Sequence, residues 1–208
     1  TANENIKKKP ALRFINSAYI VQNYNANPND NLTRFLYKNY DENLVLKAIH
    51  KYQIKSAKDG GTVFLLINKD NQIQKIKISY YNEVGKRSNR YSVPFKNSEG
   101  YFDCFFGEHL LVNEKKINLV ESEKTALAYG GANGLTDSKL ERLEGKRVLI
   151  IPDISNDAVT IMNDKKPKFI NFNIDASIWD MTQGKNDFQL KKENILGLDL
   201  EDFLRNFS

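Results

Sequence analysis

Apolar and polar positions recur along the chain with periods that change from one segment to the next, and two short apolar runs stand out. Residues 117–120 (Ile117, Asn118, Leu119, Val120) and 148–151 (Val148, Leu149, Ile150, Ile151) have the length and composition of buried strands. Each run is followed at once by acid, Glu121 after the first and Asp153, past Pro152, after the second. Residues 123–145 between them hold two helical patches, enough for the dozen or more residues that a parallel crossover needs. Such crossovers are right-handed almost without exception, which predicts two parallel strands with Glu121 and Asp153 on one rim. In open α/β sheets ligands bind at that rim.

The rest of the chain sorts around this unit. Residues 12–21 fit either a strand or a short helix, and the Asn-rich stretch 23–31 is a turn or linker. Helices are predicted from residue 31 or 32, with Leu32, Phe35 and Leu36 on one side, and after Asp41, an N-cap, where Leu44, Val45, Ala48, Ile49 and Tyr52 recur at helical spacing. Asp59, Gly60 and Gly61 mark a turn into a hairpin, residues 62–67 and 72–81, reversed by Lys69, Asp70 and Asn71. On its second strand Ile76, Ile78 and Tyr80 share the buried face, while Lys75, Lys77 and Ser79 face water. A composition shift at residues 98–100 divides an α+β part, residues 1–100, from a second domain, residues 101–208, with Phe105 and Phe106 packing the joint. In that second domain a helix over residues 136–143 stops at Gly145. Residues 163–167 turn the chain, residues 168–174 form a strand with Ile170, Phe172 and Ile174 on one face, and Asp175 and Asp180 are possible extra rim acids. Trp179 seals the adjacent core, and an amphipathic helix runs from Leu200 to Phe207.

Composition narrows the function. A single cysteine, Cys104, excludes an intramolecular disulfide and a cysteine-based zinc ribbon. No apolar run approaches the roughly 18 residues of a membrane span, and no apolar signal core follows Lys7, Lys8 and Lys9, so a cytoplasmic protein without a membrane partner is expected. The net charge of +5 is unevenly spread: residues 1–100 carry 17 Lys and Arg against 8 Asp and Glu, and residues 101–208 carry 14 against 18. Cations that hold phosphates beside carboxylates that hold a metal suit a nucleic-acid-processing protein, whereas ordinary solvated lysines account for the same counts without one.

Candidate chemistry follows the same division. Lys75, Lys77, Lys86, Arg87 and Arg90 interleave with Tyr81 and Tyr91 around Gly85, the mixture that tracks a backbone and stacks bases in single-strand recognition; the alternative is a solvated hairpin with half-buried tyrosines. Lys7, Lys8 and Lys9 are either solvated or in contact with phosphate. Glu121 and Asp153, with no His or Cys beside them, suit a hard divalent ion, Mg²⁺ or Mn²⁺, or else are helix-capping acids after strands. Lys124 is placed to meet a phosphate at a helix start, and Glu123 reads as a solvated first-turn acid. Residues 130–134 form a glycine turn without the ordered spacing and Lys-Ser/Thr of a P-loop. His50 reads as structural; His109, near the rim, reads as structural first and as a proton carrier second.

The stretch Val120-Glu121-Ser122-Glu123-Lys124-Thr125-Ala126, followed by Gly130-Gly131, a helix and Ile150-Ile151-Pro152-Asp153, resembles the Toprim domain of DnaG-type primases and topoisomerases. Residues 104–110 and 197–204 resemble Toprim-like domains of primase-related proteins carried on bacterial mobile elements, and residues 62–82 are similar to the hairpin that precedes the domain there. The likeness implies a small parallel-sheet, Rossmann-like α/β domain after an α+β part with a β-hairpin. It implies Mg²⁺-assisted phosphoryl transfer, with Glu121 on the metal or acting as acid or base, Asp153 holding the ion, and Asp157 or Ser155 completing the site. Two departures are plain. The first Glu of the pattern is followed by Gly, here Ser122, and the second acidic motif is Asp-x-Asp, here Asp153-Ile154-Ser155. The interval from Thr125 to Gly130 is also short for the helix and edge strand of the pattern, which predicts that the edge strand is missing. The expected function is nucleic-acid processing in replication or mobilisation of a mobile element, on DNA rather than RNA, with replication proteins as partners. The alternatives are a catalytically degenerate module that binds nucleic acid or a protein, and an interaction or inhibitor module.

Overall fold

The computed structural model describes residues 10–207, so the reading of Lys7, Lys8 and Lys9 lies outside the described residues. The segment left open between strand and helix is each in turn: Ile15 makes one antiparallel bridge to Ile73, and α1 (Ser17–Asn23) follows. Asp30 caps α2 (Asn31–Asn39) in a capping box with Thr33, and Asp41 caps α3 (Glu42–Lys51), each carboxylate accepting a backbone N–H that the first helical turn leaves without a partner. Next come β1 (Lys55–Ser56), β2 (Thr62–Ile67), β3 (Ile73–Tyr81) and β4 (Arg87–Ser92). They form an antiparallel sheet in the order β1-β2-β3-β4, with the predicted hairpin in the register Val63↔Ile78 and Leu65↔Ile76.

The second sheet is parallel throughout. Its elements are β5 (Lys116–Val120), α4 (Glu123–Tyr129), β6 (Ala132–Asn133), a 3₁₀ helix at Asp137–Leu143, β7 (Arg147–Ile151), α5 (Asn156–Asp164), α6 (Lys166–Asn171) and β8 (Asp175–Ile178). Then follow α7 (Asp187–Lys192) and α8 (Leu200–Phe207). Strand order is β6-β5-β7-β8, and the pairing of Val120 with Ile151 sets the ends of the two central strands level. The result is the predicted class: a parallel-sheet α/β unit after an α+β part built on a hairpin.

Both faces of the parallel sheet are buried, as its continuous apolar runs require. Ile117, Leu119, Val148 and Ile150 pack against Leu140, Leu143 and Phe169 on one side. Val120 and Ile151 face the other way, into a core shared with Leu32, Leu36, Ile49 and Phe64 of the preceding part and Leu190 and Leu200 of the last helices. Phe106 sits in that shared core. Its ring stacks on Tyr52 with centroids 5.1 Å apart, meets Phe64 edge-on at 5.4 Å, and its backbone exchanges hydrogen bonds with Asn133.

Several expectations are corrected. The edge strand is present as β6, two residues long and parallel to β5. Gly130 and Gly131 at φ +81° and +108° turn the chain straight back, and a Cβ at Gly131 would lie 2.5 Å from the Asn118 carbonyl oxygen. Residues 168–174 are not a strand: α6 covers most of them, starting with Pro167 in its first turn, where proline is compatible with a helix. Phe169 and Ile174 face the core while Ile170 is 74% exposed, and the strand comes later, as β8. Asp175 therefore opens β8 at the far edge from the rim, paired with Arg147 at 2.9 Å. Trp179 is 44% exposed and seals no core. The Lys75, Lys77 and Ser79 face of β3 is not wet either; it turns towards acids of the second part, as described below.

Phe106→Ala is expected to cost about 3–5 kcal/mol. Because Phe106 touches both sheets, urea unfolding followed by far-UV circular dichroism and by tyrosine fluorescence should shift together in the variant; a shift in only one signal would show that the two parts unfold independently.

Candidate functional site: an acidic rim beside a basic arm

Glu121 directly follows β5 and Asp153 lies two residues beyond β7, so the level ends of two adjacent parallel strands place both carboxylates on the same rim, as predicted. Burial raises the Glu121 pKa, against the neighbouring Asp153, which lowers it. Burial also pushes Asp153 up to about 7, helped by the negative charges of Glu121, Asp199 and Asp202 and opposed by Arg87. Two half-buried acids that resist joint ionisation, with oxygen donors and no nitrogen or sulfur ligand, match the donor set of a hard divalent cation, which would relieve their repulsion.

Sequence reasoning missed the contribution of α8. Lys124, in the first turn of α4, is only 4% exposed and lies 2.5 Å from Asp202, 2.6 Å from Glu201 and 3.6 Å from Asp199. Burial works against its ammonium, but the three carboxylates outweigh it and the Lys124 pKa is raised. Glu201 is wholly buried and also accepts from the Tyr40 hydroxyl at 2.6 Å and from Arg205 at 3.0 Å. Asp199, Glu201 and Asp202 are close enough together to offer oxygen atoms to one cation, and Lys124 fills that role. Thus Lys124 does not stand open to a phosphate.

The basic arm meets this rim through Glu123. Contrary to its reading as solvated, Glu123 is 2% exposed, with Lys77 at 2.5 Å and Arg87 at 3.7 Å. Lys75 reaches Asp103 at 2.6 Å. Between the sheets lies a cavity of about 220 Å³ lined by Lys75, Lys77, Lys139, Glu123 and Asn133. A neighbouring cleft of about 360 Å³ is lined by Lys77, Ser79, Arg87, Ser88, Asn89 and Tyr91. β4 is exposed along its whole length. On it, Arg90 lies over the Tyr80 ring and pairs with Asp59 at 2.6 Å, and Tyr91 is exposed. Lys86, at the turn before β4, is exposed. Of the predicted cations, Lys77 and Arg87 are brought to the acids, Lys86 and Arg90 lie outside them, and Lys75 and Lys124 are already engaged.

The two candidates for completing the acid pair fare differently from it. The Ser155 hydroxyl caps α5 by accepting from the Ala158 N–H at 3.1 Å, and Asp157 is exposed on that helix's first turn. Asp180 is held locally by Thr182. His50 is exposed. His109 ties its Nε2 to the Lys51 carbonyl at 3.0 Å, and burial lowers its pKa, a structural setting for a neutral ring.

The model of a domain of unknown function, DUF6371, matches residues 30–154, more than half of the chain. The chain belongs to the DUF6371 family. No curated protein matches it. Among solved structures, this DUF6371 chain superposes on a DnaG primase catalytic domain bound to ssDNA with a TM-score of 0.53 and 12% identity, covering 85% of this chain and 74% of that one. The zinc-binding and RNA polymerase domains of the Aquifex aeolicus primase align at a TM-score of 0.47 and 16% identity, covering 71% of this chain and 43% of that one. The E. coli primase catalytic core aligns at 0.46 and 13%, covering 91% and 71%. The chain thus spans less than half of the Aquifex protein, and the first of these likenesses establishes a primase-like, Toprim-type fold for the DUF6371 chain. Among the described residues no helix is long and apolar enough to cross a membrane.

Two outcomes follow from these electrostatics. An acid whose folded pKa stands above its ordinary value is stabilised in its protonated form, so ionised Asp153 costs nothing below about pH 4, costs progressively more up to about pH 7, and a constant amount above. Asp153→Asn should therefore be more stable than the wild type by about 2 kcal/mol at pH 8, with the gain gone near pH 4, in urea titrations without divalent ions. Lys124→Met, which removes the shared counter-charge of Asp199, Glu201 and Asp202 and leaves Glu201 with Arg205 and Tyr40, should lose about 3 kcal/mol in the same assay.

Proposed function

We propose that this chain is a nucleic-acid-processing protein of the primase or Toprim type, using a divalent ion in phosphoryl transfer. The observation that carries the reading is the placement of Glu121 and Asp153 after the level ends of β5 and β7, on the rim where Lys77 of β3 and Arg87 of β4 meet Glu123. Glu121 and Asp153 would hold Mg²⁺ or Mn²⁺, with Asp157 near enough in sequence to contribute through water. The ion supplies charge neutralisation at a phosphoryl oxygen and a more acidic bound water or hydroxyl. Glu121 accepts the proton of the attacking hydroxyl, a role its raised pKa suits. Arg87 and Lys77 orient a phosphate next to the acids, while Lys86 and Arg90 continue the track along β4, with Lys75 and Lys124 holding the groove in shape. Tyr91 offers a face for a base. The two parts, residues 1–100 and 101–208, then divide the work between holding the strand and reacting with it.

The ssDNA-bound primase domain of the same fold favours DNA over RNA as the polymer. The likeness of residues 104–110 and 197–204 to mobile-element proteins favours a role in replication or mobilisation of such an element, alongside replication proteins. A second reading, a module that binds nucleic acid or a protein and catalyses nothing, is favoured by Ser155, whose hydroxyl is spent on capping α5, and by Glu123, which already occupies Lys77 and Arg87.

An end-labelled single-stranded oligonucleotide incubated with the protein and Mg²⁺ or Mn²⁺, beside Glu121→Ala, separates these readings on one gel. A metal-dependent product lost in the variant is the expected outcome. A shift without product, unchanged in Glu121→Ala, establishes the binding module, and neither shift nor product refutes both nucleic-acid readings. In the binding mode, alanine at Lys86, Arg87 or Arg90 should weaken the shift and reduce the slope of log affinity against log salt by about 1 per contact removed.

A further inference from the structure

We infer that the cavity of about 220 Å³ between the two sheets binds a single phosphate group, with the Lys139 ammonium as its principal donor. This site needs neither Glu121 nor Asp153, so it stands apart from the phosphoryl-transfer reading. Three lysines and two acids line the cavity, Lys75, Lys77 and Lys139 against Asp103 and Glu123. Both acids are already matched, Asp103 by Lys75 at 2.6 Å and Glu123 by Lys77 at 2.5 Å. The charge left over is that of Lys139, the most buried of the three lysines at 5% exposure.

Lys139 lies in the 3₁₀ helix at Asp137–Leu143, and among the described residues no carboxylate forms an ion pair with it. Its ammonium donates to the Gly134 carbonyl at 2.7 Å and stands 5.5 Å from the centroid of the Phe105 ring. An ammonium has three N–H donors, so one carbonyl does not exhaust it. Burial lowers its pKa despite the charge of Asp103, as expected of a cation short of a counter-ion. Gly134 closes the glycine turn at φ +101°, and a Cβ there would lie 3.2 Å from Lys139 Nζ, so the turn gives the ammonium its room in the cavity wall. An uncompensated buried charge is costly, and an anion in the cavity supplies what is missing. The volume decides its size. It is several times the ~30 Å³ of one water but below the roughly 300 Å³ at which pockets for whole small molecules begin, so a phosphate group fits and a complete nucleotide does not. With its strong acceptor oxygens, a phosphate suits donors that arrive from β3 and from the 3₁₀ helix. The same group is carried by free inorganic phosphate and by the 5′ end of a phosphorylated strand.

The test is calorimetric titration of the full chain with inorganic phosphate, without divalent ions, beside anisotropy titrations of a short oligonucleotide carrying either a 5′-phosphate or a 5′-hydroxyl. Lys139→Gln keeps a donor for the Gly134 carbonyl and removes the charge; it is expected to bind the phosphate group about tenfold more weakly or worse. Lys139→Met, an apolar side chain of similar length, is the second variant and should behave alike, since replacing an uncompensated buried charge in this way is tolerated by the fold. Lys192→Gln, exposed on α7, removes the same charge and should bind as the wild type does. A preference for the 5′-phosphorylated strand that the Lys139 variants abolish identifies a strand end as the source of the group. Binding of inorganic phosphate without that preference identifies a free phosphate compound. Affinity unchanged in the Lys139 variants, an equal loss in Lys192→Gln, or the absence of both phosphate binding and 5′ preference in the wild type overturns the site.

Discussion

The Glu201 carboxylate has no contact with water, and the packing of α8 against the rest of the chain follows from the partners gathered around it. An ionised acid in the interior is tolerated only with close partners. Lys124 comes from α4, Arg205 from one turn further along α8, and the Tyr40 hydroxyl from the turn between α2 and α3. Meeting these demands docks the last helix against α4 and against the first helical layer at once. Asp199 and Asp202 are carried along on the same turn, and α4 is held with its first turn pointing at the strand ends. The strand ends set where Glu121 and Asp153 stand, and the Glu201 cluster sets how α4 and α8 pack beside them.

The same logic joins the two sheets. β3 offers apolar side chains to one face and Lys75, Lys77 and Ser79 to the other, and the second face packs against the later part of the chain. Lys77 and Arg87 meet Glu123, Lys75 meets Asp103, and the Lys69 N–H donates to Glu108 at 3.3 Å. A basic first part and an acidic second part therefore share a neutralised seam. Part of the uneven charge along the chain is taken up in this seam, and the exposed cations beyond it, those around β4 among them, remain to attract a polyanion.

Much of this was legible in the residues. The acids after β5 and β7, the caps at Asp30 and Asp41, and the hairpin all rest on local chemistry that a short window displays. What escaped was tertiary. Residues 170, 172 and 174 mimic a strand's alternation, yet Phe169 and Ile174 are the ones that find the core once Asn173 takes a left-handed turn at φ 52°. β6 is two residues long, below what any pattern can signal, and exists because Gly131 fits against the Asn118 carbonyl. Lys75 and Glu123 read as surface charges because their partners lie far along the chain. The stretch 197–204 drew notice by its likeness alone, since acids on an amphipathic last helix are ordinarily solvated; only the position of Lys124 reveals what Asp199 and Glu201 do.

The hydrogen bond from Tyr40 to Glu201 spans 161 residues of sequence. During synthesis at roughly 5–20 residues per second, the first helices and the hairpin have emerged long before α8 exists. For that interval Lys124 has no counter-charge, and the shared core between the sheets lacks Leu190 and Leu200. The hairpin and its capped helices can form early on local contacts, whereas the acidic rim closes only once α8 has been made and has met α4.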